Sequence, residues 1–187
     1  MGIYSQIPNI ITSSRIILIP LFVLVFYVPD NYLFASRNLI SATIFVVVGI
    51  TDWLDGFLAR KLGQVSNFGA FLDPVADKLM ISTALIILVD LGRLESFLAV
   101  IIIGREITIS ALREWMARLG QSNSVAVSFL GKIKTIFQIL AITLLLYFDR
   151  IFGINTFIIG CILIYISAIL TLWSMGYYLH RAIYFKR

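Results

Sequence analysis

Six stretches of this chain, residues 10–27, 39–60, 71–89, 94–112, 125–148 and 151–179, are long and apolar, with only short polar connections between them. About 20 apolar residues, rising about 1.5 Å each, cross a bilayer as a helix. Inside hydrocarbon the backbone finds no water, so runs like these satisfy their N–H and C=O groups as helices. The pattern therefore predicts an all-α polytopic membrane protein with six transmembrane helices. Charged residues are 13% of the 187 and hydrophobic ones 60%, against about 25% charged in soluble domains. No repeat, low-complexity tract or linker divides the chain, so residues 1–187 read as a single integral membrane domain. The first apolar run holds Arg15 and Pro20 and lacks a cleavage pattern, so the N-terminus is expected to be retained.

Turn residues punctuate the runs. Pro29, Asp30 and Asn31 separate the first helix from the second, and Gly92 marks the third turn. Asp73 and Pro74 admit two readings: a helix N-cap followed by proline at the first helical position, or a helix that starts nearer Ser66 and carries Pro74 inside it. With six crossings, twelve basic residues (Arg15, Arg60, Lys61, Lys78, Arg105, Arg113, Arg118, Lys132, Lys134, Arg181, Lys186 and Arg187) fall on the side of the termini. Only Arg37, Arg93 and Arg150 fall on the other. The positive-inside bias then places both termini in the cytoplasm.

Within this apolar background, residues 51–78 concentrate acid. Asp52 and Asp55 are three apart, and Asp73 and Asp77 four apart, so on helices each pair shares a face. Two such faces packed together would gather four carboxylates. At about 5 Å and an effective dielectric near 20, each like-charge pair repels by roughly 3 kcal/mol, so the cluster needs cations. Carboxylates without His or Cys suit hard ions such as Mg²⁺ or Mn²⁺ and argue against zinc. Ion pairs with the surrounding Arg and Lys are the plainer alternative, and the small residues Gly56, Ala59 and Gly69 equally suit helix packing.

Asp52, Asp55, Gly56, Ala59, Arg60, Gly69, Asp73 and Asp77 reproduce the pattern D-x2-D-G-x2-A-R-x8-G-x3-D-x3-D without departure. This resembles the signature of the CDP-alcohol phosphotransferase family. The resemblance implies a six-helix membrane fold, usually a homodimer, in which a pair of divalent cations supports transfer of a substituted phosphoryl group from a CDP-linked donor to an alcohol, with release of CMP. It implies Asp52, Asp55, Asp73 and Asp77 as metal ligands, Asp77 doubling as general base. Gly56, Ala59, Arg60 and Ser66 would meet the CDP moiety, with Gly69 permitting close approach. The flanks, residues 7–20, 105–120 and 124–135, are similar to the bacterial branch that joins CDP-diacylglycerol to glycerol 3-phosphate, which implies a site facing the cytoplasm at the inner membrane.

The cations of the later helices agree with a phosphorylated acceptor. Arg105, Arg113, Lys132 and Lys134 lie in or beside apolar runs, with Glu106 and Glu114 as the acids at hand. Two acids cannot neutralise four cations, and an unpaired charge in a membrane cavity is costly. A phosphate would relieve the surplus, with arginine gripping its oxygens in bidentate fashion. Other members of the family take serine, inositol phosphate or phosphatidylglycerol. From a different class, a divalent-cation transporter also lines its path with intramembrane acids, but helices one, five and six offer none to continue one. The net charge of +5 reads as membrane orientation and contact with anionic lipids, not as nucleic-acid binding. Trp53, Trp115 and Trp173 read as interface anchors.

Overall fold

The computed structural model describes residues 7–29, 32, 36–62, 67–118 and 129–184; within these, 7–16, 52–62, 67–73, 129–132 and 181–184 are described as backbone only. The described residues form six helices: α1 Ile7–Tyr27, α2 Arg37–Leu62, α3 Asn67–Asp90, α4 Ser96–Arg118, α5 Phe129–Tyr147 and α6 Thr156–Tyr184. A two-stranded antiparallel hairpin, β1 Arg150–Ile151 and β2 Ile154–Asn155, precedes α6, pairing Arg150 with Asn155 and Ile151 with Ile154.

Several boundaries differ from the apolar runs. α3 begins at Asn67 with Pro74 inside it, which decides against Asp73 as an N-cap. Proline has no N–H, so the carbonyl of Ala70 loses its usual helical donor. α4 continues past Leu112 to Arg118, where the apolar pattern has stopped but an i,i+4 ion pair, Arg118 Nη2 to Glu114 Oε1 at 2.6 Å, supports the last turn. The expected helix over 151–179 instead starts at Thr156. Asn155 is the reason: its Oδ1 accepts the Phe157 N–H at 3.1 Å, capping the helix N-terminus. Before it, Phe152 (φ 49°) and Gly153 (φ 82°) reverse the chain in the left-handed region that a two-residue hairpin turn requires.

Gly92 acts as the sequence suggests. At φ 65° it closes α3 with two bonds, Gly92 N–H to Val89 O at 3.0 Å and Arg93 N–H to Leu88 O at 2.9 Å, the paired pattern of a Schellman cap.

The chain divides into two compact units, Met1–Ile87 with Leu146–Asp149, and Leu88–Leu145 with Arg150–Arg187. In the first, α1 packs on α2 through Phe22, Val25, Ala42, Phe45 and Val48, all buried. Phe22 meets Phe26 edge-on at 5.5 Å and Phe45 at 6.5 Å. Arg37 at the start of α2 donates from Nη2 to the Val28 carbonyl at 2.5 Å, tying the two helix ends together. In the second unit α4 packs on α6, with Ile109, Met116 and Tyr178 at the centre and Leu112 and Met175 against them. α5 meets α6 where Gly160 lies against Leu145.

Among the described residues one helical segment, Thr156–His180, at 25 residues and a mean hydropathy of 2.3, is long and apolar enough to cross a membrane. Ile17–Tyr27, Arg37–Thr51 and Ile133–Tyr147 are shorter apolar segments. Six helices thus stand where six apolar runs are expected, and among the described residues one of them is apolar over a full crossing length. Within α4, Arg105 and Glu106 interrupt the apolar run.

Candidate functional site

The eight motif positions all fall on two consecutive helices of the first unit. α2 carries Asp52, Asp55, Gly56, Ala59 and Arg60 in its final turns, and α3 carries Gly69, Asp73 and Asp77. Because both segments are helical, the i,i+3 and i,i+4 spacings put each aspartate pair on one helix face. Ser66 lies outside the described residues, as do the side chains of Asp52, Asp55, Gly56, Ala59, Arg60, Gly69 and Asp73. Asp77 is half-buried and engaged with its surroundings. Among the described side chains no group of three or more His, Cys, Asp or Glu could hold a metal ion; three of the four motif aspartates are not in that set. Four carboxylates on two consecutive helices of one unit are, as residue types, of the kind that hard divalent cations take.

The second unit holds the cations expected to bind an anion. Arg105 and Lys134 are buried, at 6% and 3% exposure. They share one acid: Glu106 Oε1 accepts from Arg105 Nη1 at 3.3 Å and from Lys134 Nζ. One carboxylate between two cations leaves a net positive charge. Arg113 is exposed and sits with its guanidinium carbon 5.8 Å from the centre of the Tyr178 ring, a cation–π contact. Its charge and that of Arg105 both bear on Lys134, so these three cations share a neighbourhood. Glu114 pairs with Arg118. Lys132 is on α5, and its side chain is outside the described residues.

Polar residues that the sequence reading passed over complete this region. On α6, Ser167, Thr171 and Ser174 are all buried, at spacings of four and three that put them on one face. Ser174 Oγ accepts from Arg105 Nη2 at 2.9 Å, and Ser167 Oγ donates to the Lys134 carbonyl at 3.5 Å. Gln138, one turn beyond Lys134, is 1% exposed. Its amide, Thr171 Oγ1 and Arg105 Nε have no hydrogen-bond partner among the described residues. Hydroxyls at helical spacing in an otherwise apolar run were the available signal.

Comparison with known proteins adds a second line of evidence. A model of the CDP-alcohol phosphatidyltransferase family matches residues 5–173. The chain is 48% identical over 179 residues to the CDP-diacylglycerol–glycerol-3-phosphate 3-phosphatidyltransferase of Salmonella typhimurium, covering 95% of this chain and 94% of that protein. It is 49% identical over 181 residues to the protein of that name from Haemophilus influenzae, with 95% and 93% covered. The protein of that name from Sodalis glossinidius is 47% identical over 183 residues, with 95% and 94% covered.

Proposed function

Because the chain belongs to the CDP-alcohol phosphatidyltransferase family, we propose that it transfers the phosphatidyl group of CDP-diacylglycerol to glycerol 3-phosphate, giving phosphatidylglycerophosphate and CMP. The observation that carries this reading is the undisturbed eight-residue motif on α2 and α3, in a chain matched over 95% of its length to relatives named for the reaction.

Asp52, Asp55, Asp73 and Asp77 would hold two divalent cations, Mg²⁺ or Mn²⁺. When bound, such a pair neutralises the charge of a pyrophosphate and supports in-line attack. The chain's own residues do the rest. Asp77, half-buried, takes the proton from the acceptor hydroxyl as its oxygen bonds to the phosphatidyl phosphorus and the bond to CMP breaks. Gly56, Ala59, Arg60, Ser66 and Gly69 receive the CDP moiety, the small residues leaving room for it. Arg105, Arg113, Lys132 and Lys134 bind the acceptor phosphate. The surplus charge around Glu106 supports a dianionic acceptor over serine.

The site works at the cytoplasmic face of a bacterial inner membrane, in one catalytic domain with six crossings, both termini cytoplasmic, and a homodimeric assembly. There the lipid tails stay in the bilayer while the CDP head reaches water. The test is CMP release from CDP-diacylglycerol by purified protein, run in parallel with glycerol 3-phosphate, glycerol, serine and inositol phosphate. Turnover confined to glycerol 3-phosphate is expected. Equal turnover with serine or inositol phosphate would overturn the choice of acceptor.

A further inference from the structure

Arg105 on α4 and Ser174 on α6 are joined across 69 residues of chain by a buried hydrogen bond, Nη2 to Oγ at 2.9 Å. The serine is held in turn. Its hydroxyl donates to the Thr171 carbonyl at 3.0 Å, one turn back along α6. A hydroxyl whose single hydrogen is committed presents only lone pairs to its other neighbours. Ser174 therefore faces the guanidinium purely as an acceptor, in a direction set by its own helix.

The guanidinium is also gripped by its other arm, through Nη1 to Glu106 Oε1 at 3.3 Å. Two anchors, one on each amino nitrogen, fix the orientation of a planar group, where one would leave it free to rotate. They leave Nε, buried and without a partner among the described residues, as a donor pointing along a fixed line. Buried N–H groups of this kind are rare and ordinarily satisfied. An oxyanion beside Arg105 would satisfy it.

We infer that Ser174 is a positioning residue for the acceptor: through its bond to Arg105 Nη2 it holds the guanidinium in the orientation that receives the acceptor phosphate. This rests on the reading of Arg105 as an acceptor-phosphate residue. Binding to a pre-oriented group avoids the ordering cost that a mobile arginine would meet on each encounter, so the effect belongs to acceptor affinity and not to the donor.

The experiment is steady-state CMP release by the full chain in detergent–lipid micelles, with each substrate varied in turn, for Ser174→Ala, Ser174→Thr and Arg105→Ala, alongside thermal melting of each. A hydrogen bond to a charged group is worth about tenfold in binding. Ser174→Ala is expected to raise KM for glycerol 3-phosphate about tenfold, leaving kcat and KM for CDP-diacylglycerol at parental values. Ser174→Thr, which keeps the acceptor oxygen, is expected to restore the parental KM. If Arg105→Ala raises that KM and Ser174→Ala does not, the positioning role is refuted and the acceptor site stands. If Arg105→Ala leaves it unchanged, the acceptor reading fails and the inference with it. Equal effects of Ser174→Ala on both substrates, tracking a lowered melting temperature, would make the bond merely structural and also overturn the proposal.

Discussion

Glu106 and Lys134 form an ion pair between α4 and α5, with the lysine 3% and the glutamate 23% exposed. Glu106 also accepts from Arg105, so one carboxylate compensates two buried cations. Pairs of this kind contribute little over an apolar replacement, yet removing one partner strands the other charge in a poorly solvated place.

Glu106→Gln is accordingly expected to destabilise the protein by about 3 kcal/mol. The exposed pair of Glu114 with Arg118, at 67% and 76% exposure, supplies the comparison. Glu114→Gln is expected to cost about 0.5 kcal/mol or less. Thermal or denaturant melting in one detergent measures both, and equal losses would contradict the buried-charge argument.

Gly160 is the tightest of the described glycines. A Cβ there would lie 2.8 Å from Leu145 Cγ, 2.9 Å from its Cδ2 and 3.3 Å from its backbone nitrogen. Alanine favours a helix over glycine by about 1 kcal/mol, but overpacking costs about 1–3 kcal/mol. Gly160→Ala should therefore lower stability despite its better propensity. Adding Leu145→Ala should make the two changes less than additive. Strict additivity in a double-mutant cycle would show that the two residues do not constrain each other.

Asp77→Asn is expected to abolish turnover while retaining much of the donor affinity, because three acidic residues remain and the proton acceptor is lost. Asp52→Asn and Asp73→Asn are expected to weaken metal dependence and donor affinity together. A divalent-cation titration of CMP release separates the two classes. Near-parental turnover by Asp77→Asn would remove it as the base.

Arg113→Ala and Lys134→Ala should raise KM for glycerol 3-phosphate about tenfold or more, with a much smaller effect on KM for CDP-diacylglycerol. The same assay with unphosphorylated glycerol is the control. Comparable activity on it by the parent enzyme would remove the need for a phosphate-binding cluster.

The motif and the number of helices were legible in the sequence because charge in an apolar chain is conspicuous and apolar length is countable. Gly92 was legible for a similar reason, since a turn after an apolar run favours a residue free to take positive φ. The start of the last helix was not. Ile151 and Phe152 look like helix interior by hydropathy, and their place in a hairpin depends on Phe152 adopting a conformation that its side chain disfavours. Asn155 carried a capping signal, but the apolar run around it hid it. Nor could Ser174 be singled out. A serine in a membrane helix is ordinary, and its meaning comes from Arg105, a residue 69 positions away that only the packing of α4 on α6 brings near.

The turn at Phe152 and Gly153 also bears on the order in which the chain assembles. The entropy lost in closing a loop grows with its length, and a two-residue reversal is among the shortest closures a chain can make. Leu145 and Gly160 are thus brought together at little entropic cost, before any contact that must wait for distant segments. The strained φ of Phe152 is a local, fixed expense, while the closure it enables makes the pairing of α5 with α6 a short-range event.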